Sequence, residues 1–292
     1  MPMELWFVLA ILVAILWGSD GILAKLSTPR LGVARVAVLM LIVDGIMYFL
    51  GFYYWRGNLP ISLWDGILAA TSCIVGTIAY LCFFESIVDG QIAIAGTISA
   101  AYPAFTVIGA LALLSETLTV TQVIALIAII GGVIALSYES NPASEHAMPR
   151  RSLFFALLAF ALWGFWSLTS KMAINVVGPG NILGFYVISS LIVPFVYAWF
   201  RKIRPVQSRD SSPSWTAWAF GAAALAMNVF GVFALSFALD VGLASLVVPI
   251  SSAYPLVTVI LAVALLHEKL NRLHMIALAF VIIGLVMIGI TG

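Results

Sequence analysis

The chain has 292 residues, of which 63% are hydrophobic and 9% charged, with a formal net charge of +1. Soluble domains carry roughly 45–50% apolar and about 25% charged residues, so a water-soluble fold is excluded, and the near-zero charge leaves no basic field for nucleic acid. Apolar runs of about twenty residues have the length a helix needs to cross a bilayer, and the chain reads as an all-α, multi-pass membrane protein.

In chain order the hydropathy predicts ten spans, at 4–26, 32–55, 63–88, 91–114, 120–138, 152–174, 181–201, 215–239, 243–265 and 272–291. These runs are too long and too uniformly apolar for the alternating strands of a membrane barrel, the other fold that satisfies backbone groups in hydrocarbon. Breaker clusters separate them: Thr28-Pro29-Arg30, Arg56-Gly57-Asn58-Leu59-Pro60, Asn141-Pro142, Gly178-Pro179-Gly180 and Ser212-Pro213. The first run follows Glu4 rather than a basic stretch and has no Ala-x-Ala site, so it is expected to be a retained first helix.

Three spans carry acids. Charge inside a bilayer is costly, so each is a candidate for function. Asp44, near the middle of span two, reads either as a coupling or substrate-binding group or as one half of an ion pair with Arg35. Asp20 and Glu85 are placed nearer the loop ends of spans one and three, where an interfacial acid and a ligand are equally good readings. One of the three carboxylates is the expected proton carrier.

Trp17, Trp163 and Trp166 lie within spans rather than at the interface, either packing helices or flanking a cavity. Tyr80, Tyr102 and Tyr254 add further rings, and an aromatic box with carboxylates would suit an ammonium group. Pro103 and Pro255 fall mid-span, where proline removes a helical hydrogen bond and frees a carbonyl one turn earlier. Ser99, Ser251 and Ser252 precede them by three or four residues, so these stretches are candidate substrate contacts or hinges, with a packing kink as the alternative. Asn228 in span eight reads as a helix–helix hydrogen bond or a ligand. Cys73 and Cys82, nine residues apart in one span, are expected to be packing residues, and His146, His267 and His274 have no metal-ligand spacing. No metal or cofactor is expected.

The sequence repeats itself. Leu16-Trp17-Gly18 with Lys25 recurs as Leu162-Trp163-Gly164 with Lys171, offset by 146, and Ser99-Ala100-Ala101-Tyr102-Pro103 recurs as Ser251-Ser252-Ala253-Tyr254-Pro255, offset by 152. Leu113-Leu114-Ser115-Glu116 returns as Leu265-Leu266-His267-Glu268 at the same second offset. The chain therefore divides into a five-helix repeat over 1–140, a linker over 141–151 and a second repeat over 152–292. Five is odd, so the second unit enters the membrane from the opposite side, and inverted repeats with a site between them point to alternating access. The acids are not shared: Asp20, Asp44 and Glu85 correspond to Trp166, Ser190 and Phe237.

The Leu-Trp-Gly motif on the first helix of each half, the proline-containing fourth helix and the Leu-Leu-x-Glu ending resemble the drug/metabolite transporter superfamily, in particular its EamA-type ten-helix members. Glu116-Thr117-Leu118-Thr119, Gln122, Gly131-Gly132-Val133 and Glu268-Lys269-Leu270 resemble that family's connection between its fourth and fifth helices. The resemblance implies a secondary transporter of small metabolites or drugs, with amino-acid exporters among its relatives.

Eleven of the thirteen Lys and Arg flank the odd-numbered loops, leaving Arg56 and Lys171 on the other side. That bias predicts odd loops in the cytoplasm and both termini outside, in the plasma (inner) membrane, whereas the resemblance implies termini inside. No phosphate-loop motif is present, so transport is gradient-driven or facilitative. No clustered nucleophile and acid–base set marks a lipid enzyme, and cations sit too near the span ends to favour phosphate-bearing substrates. The preferred reading is an exporter of amino acids or related compounds. The alternative is a carrier of choline-like or other organic cations. The expected partners are a small-molecule substrate, membrane lipid and, for a coupled cycle, protons, with monomer and homodimer both open.

Overall fold

The computed structural model describes residues 4–88, 98–99, 101–137, 150–200, 213–266 and 272–291. All regular structure among them is helical: α1 Leu5–Leu31, α2 Val33–Trp55, α3 Leu63–Val88, α4 Tyr102–Leu113, α5 Val120–Ser137, α6 Arg150–Val177, α7 Asn181–Phe200, α8 Trp215–Val241, α9 Ala244–Ser251, α10 Tyr254–Leu266 and α11 Arg272–Thr291. Eight stretches are long and apolar enough to cross a membrane, one of them formed by α9 running into α10, and α4 and α5 are shorter apolar helices. The molecule is a multi-pass membrane protein.

Local chemistry sets the helix ends. Ser62 caps α3, its Oγ accepting from Asp65 N at 3.2 Å and donating to Asp65 Oδ2 at 2.7 Å. Before α5, Gln122 N donates to Thr119 Oγ1 at 3.3 Å and Thr119 N to Gln122 Oε1 at 2.9 Å. That reciprocal pair satisfies two amides the helix leaves open, and it gives a physical role to a stretch that the sequence marked only by resemblance. Ser214 Oγ accepts from Ala217 N at the start of α8.

Two expectations are corrected here. The first helix continues through Thr28-Pro29-Arg30 to Leu31 and stops at Gly32, where φ is 75°; a glycine adopts that left-handed backbone without a Cβ clash. Span nine is not a continuous helix kinked by Pro255. It breaks at Ser252 and Ala253, and α10 starts afresh at Tyr254, so Pro255 occupies the first turn. Pro103 holds the same place in α4. A first-turn amide has no helical acceptor, so proline there frees no carbonyl.

The halves interdigitate. The extensive helix pairings all join a helix before residue 140 to one after 150: α1 with α8 and α10, α3 with α6, α2 with α7, α5 with α11, and α4 with α6 and α9. Exchanging the repeats maps the α1–α8 pair onto α6–α3 and the α1–α10 pair onto α6–α4. Exposed Tyr53, Tyr54, Trp55 and Trp64 gather at the α2–α3 turn, and Trp199, Phe200 and Trp215 at the facing ends of α7 and α8 on the other side. Amphipathic rings at both ends of the apolar helices mark the two membrane interfaces.

Candidate functional site

Between the halves, rings from five helices make a chain of contacts. Tyr48 of α2 stacks on Tyr186 of α7 with centroids 5.0 Å apart. Trp166 of α6 donates from Nε1 to the Tyr186 hydroxyl at 2.8 Å and lies 6.5 Å from Trp17 of α1. Trp17 in turn meets Tyr254 of α10 edge-on at 6.3 Å. A second set joins Trp163 to Tyr102 at 5.9 Å and to Phe83 at 5.4 Å. Each repeated tryptophan therefore touches the Tyr-Pro tyrosine of the other half. Trp17 and Trp163 do not face each other; Trp17 faces Trp166.

Close packing locks these rings. Trp17 Nε1 donates to Asn228 O at 3.3 Å, and a Cβ on Gly231 would overlap that same indole nitrogen. On the equivalent seam, a Cβ on Gly76 would come within 2.5 Å of the Trp166 ring. Only glycine leaves these indoles room.

Two of the three membrane acids converge here. Asp20 and Asp44 are both buried, at 8% and 5% exposure, and they lie close enough to repel one another when charged. The Tyr80 hydroxyl lies in the field of both, and Tyr254 in that of Asp20. Asn228 Nδ2 donates to Asp20 Oδ2 at 3.4 Å, so the asparagine makes a helix–helix bond and holds an acid of the site. Oδ1 of Asp20 and Oδ1 of Asp44 have no hydrogen-bond partner among the described residues. Arg35 Nη1 is likewise buried and unpartnered, so the Arg35–Asp44 ion pair weighed from sequence does not form. Of the two readings open for Asp20, its burial and its bond to Asn228 fit a site residue better than an interfacial acid, and α1 runs five residues past its predicted end, which places the acid farther from the helix terminus.

Glu85 is held elsewhere. It forms an ion pair with Arg151 of α6 and accepts from the Tyr197 hydroxyl at 2.7 Å. Ser99 and Ser251 are buried, and Ser251 Oγ is without a partner beside the helix break. Ser252 Oγ donates back to Pro249 O at 2.8 Å, satisfying a carbonyl at the end of α9.

On the face that carries the N-terminal end of α1, polar contacts close the halves on each other. Glu116, in the loop after α4, accepts from Ala244 N at 2.8 Å and Ser245 N at 2.9 Å, capping α9 across the repeat boundary. Lys171 Nζ donates to Leu239 O at 2.5 Å and Gly242 O at 3.0 Å, at the end of α8. The α8–α9 turn thus has a cation on its carbonyl end and an anion on its amide end, matching both helix dipoles. Asn181 completes the closure, its Oδ1 accepting from Gly57 N at 3.0 Å. Buried hydroxyl pairs join α6 to two helices of the first repeat, with Ser72 of α3 and Ser170 Oγ atoms 2.8 Å apart and Thr106 Oγ1 of α4 2.6 Å from Ser167 Oγ.

Sequence reasoning missed Tyr48, Tyr186 and the capping role of Glu116. Tyr48 was findable, since it follows Asp44 by four residues on the same helix face. Tyr186 carries no such signal.

No group of three or more metal-ligating side chains occurs among the described residues. The arrangement holds two carboxylates, one of them bonded to an amide, among aromatic faces in a low-dielectric interior. Carboxylates and aromatic faces are the chemistry that recognises protons and cations.

Comparison with known proteins places this geometry. The EamA-like transporter family matches residues 4–138 and again 150–290. An uncharacterised protein of Methanocaldococcus jannaschii is 41% identical over 64 residues, which is 22% of this chain and 47% of that one; the match spans about half of that relative's length. A crystal structure superposes over 98% of this chain and 96% of its own with a TM-score of 0.78 at 16% identity, a likeness of fold. The family is one of small-molecule membrane transporters rather than enzymes, and this chain, matched twice along nearly its whole length, belongs to the EamA-like transporter family.

Proposed function

We propose that this protein is a proton-coupled secondary transporter in the plasma membrane that moves small ammonium-bearing metabolites by alternating access. Its ten spans form two inverted five-helix repeats, with odd loops in the cytoplasm and both termini outside. The observation that carries this reading is the pair of buried acids Asp20 and Asp44, each with an open oxygen, with Asp20 tied through Asn228 to Trp17 and so to the Trp17–Tyr254 ring contact. A proton and an ammonium group compete for such a pair, and that competition couples outward substrate movement to inward proton movement. Amino acids and related compounds carry the group, as do choline-like cations.

Counterflow in proteoliposomes tests it. Labelled phenylalanine, alanine and choline are offered with and without an inward proton gradient. At least one is expected to exchange and to accumulate with the gradient, and Asp20→Asn and Asp44→Asn are expected to abolish gradient-driven accumulation. Undiminished accumulation in both variants would refute the coupling role.

A further inference from the structure

Charge balance inside the site narrows the substrate. Asp20 and Asp44 are both buried, and among the described residues no Lys, Arg or His forms an ion pair with either. Lys171 is committed to the carbonyls of Leu239 and Gly242. Arg35 lies nine residues from Asp44, about 13 Å along the axis of α2. Asn228, which bonds Asp20, is neutral, as are the tyrosines Tyr80 and Tyr254. An amino-acid zwitterion would bring its ammonium to these acids and its carboxylate to the same low-dielectric space, as a third anion where no cation is paired with the acids among the described residues. Burying an unpaired charge is among the costliest things a protein interior can do.

We infer that the substrate is an organic cation without a carboxylate, held by Asp20 and Asp44 against the rings of Trp17, Tyr80 and Tyr254. The inference rests on the ammonium-recognising reading above and separates its two classes. Rings at 6.3 Å and 6.5 Å around Trp17 add cation–π attraction for the cationic nitrogen, and the same faces receive an apolar substituent.

The test uses a pair of probes that differ only in the carboxylate: phenethylamine and phenylalanine. Binding of each to the purified full-length protein is followed by calorimetry and by tryptophan fluorescence. Phenethylamine is expected to bind about tenfold tighter or more, and Asp44→Asn to weaken its binding by about tenfold. Asp20→Asn serves as the second variant should Asp44→Asn elute as an aggregate. Equal or tighter binding of phenylalanine overturns the inference. If phenylalanine wins and still loses affinity in Asp44→Asn, the ammonium reading stands and only the exclusion of carboxylates falls. Absence of binding and exchange for both probes overturns the inference and the ammonium reading together.

Discussion

Glu116 offers the sharpest test of how one face is kept shut. Its carboxylate accepts from two amides of the other repeat, at 2.8 Å and 2.9 Å, and Ala244 and Ser245 behind it are fully buried. Hydrogen bonds to a charged group contribute roughly 1.5–3 kcal/mol each, and an anion at a helix N-terminus adds about 0.3–1 kcal/mol. Glutamine keeps one oxygen, so Glu116→Gln forfeits about one such bond and the charge, roughly 2–3 kcal/mol together. At about 1.4 kcal/mol per factor of ten, the open-to-closed ratio at this face should rise roughly 30- to 100-fold. The assay is thiol labelling of Ser245→Cys in a chain that also carries Cys73→Ala and Cys82→Ala. When opening is fast relative to labelling, the rate follows the open population. A labelling rate unchanged by Glu116→Gln, in protein that elutes as the parent does, would refute the latch.

Other outcomes follow from the same contacts. Glu85→Gln should leave gradient-driven transport in place while Asp20→Asn and Asp44→Asn remove it, measured side by side in proteoliposomes, because Glu85 is tied to Arg151 and Tyr197 away from the two central acids. Gly231→Ala places a methyl on the Trp17 indole nitrogen and should destabilise by about 1–3 kcal/mol through overpacking, read as a lower melting temperature in detergent together with weaker substrate binding. Lys171→Met strips two donors from the end of α8 and should cost about 1–3 kcal/mol, again read by thermal melting; an unchanged midpoint would mean that water caps those carbonyls equally well.

How far the sequence reaches depends on the kind of contact. Hydropathy located the helices because each must satisfy its own backbone in lipid, and both ends of α2 and the starts of α3 and α7 fall within a residue of the expected limits. The stop of α1 was misplaced because Pro29 looks like a breaker, whereas the positive φ belongs to Gly32. Internal offsets revealed that Trp17 and Trp163 are equivalent, yet equivalence under an exchange of halves says nothing about which ring each will touch. Their partners, Tyr254 and Tyr102, are set by helices that cross from the other repeat. Asp20 and Asp44 could each be marked as costly. Their convergence depends on the rotation of α1 and α2 about their axes, which an almost uniformly apolar helix does not encode. Glu85, marked by the same rule, turned the other way and found an arginine.

The asymmetry between the two seams has a kinetic meaning. Where the first repeat has Asp20, the second has Trp166, seated on Gly76 and bonded to Tyr186, so a scaffold present twice carries its acidic chemistry once. On the alternating-access reading proposed above, the two end states are alike in helix geometry but unlike in what they present to a solute arriving from either side. Their half-saturation concentrations should differ. Equilibrium nevertheless forbids that difference from driving net flux, since maximal rates must compensate until the gradients alone set direction. On the proposed mechanism, such a carrier would export or import according to the gradients around it, and its single acidic seam would decide only from which side it saturates first.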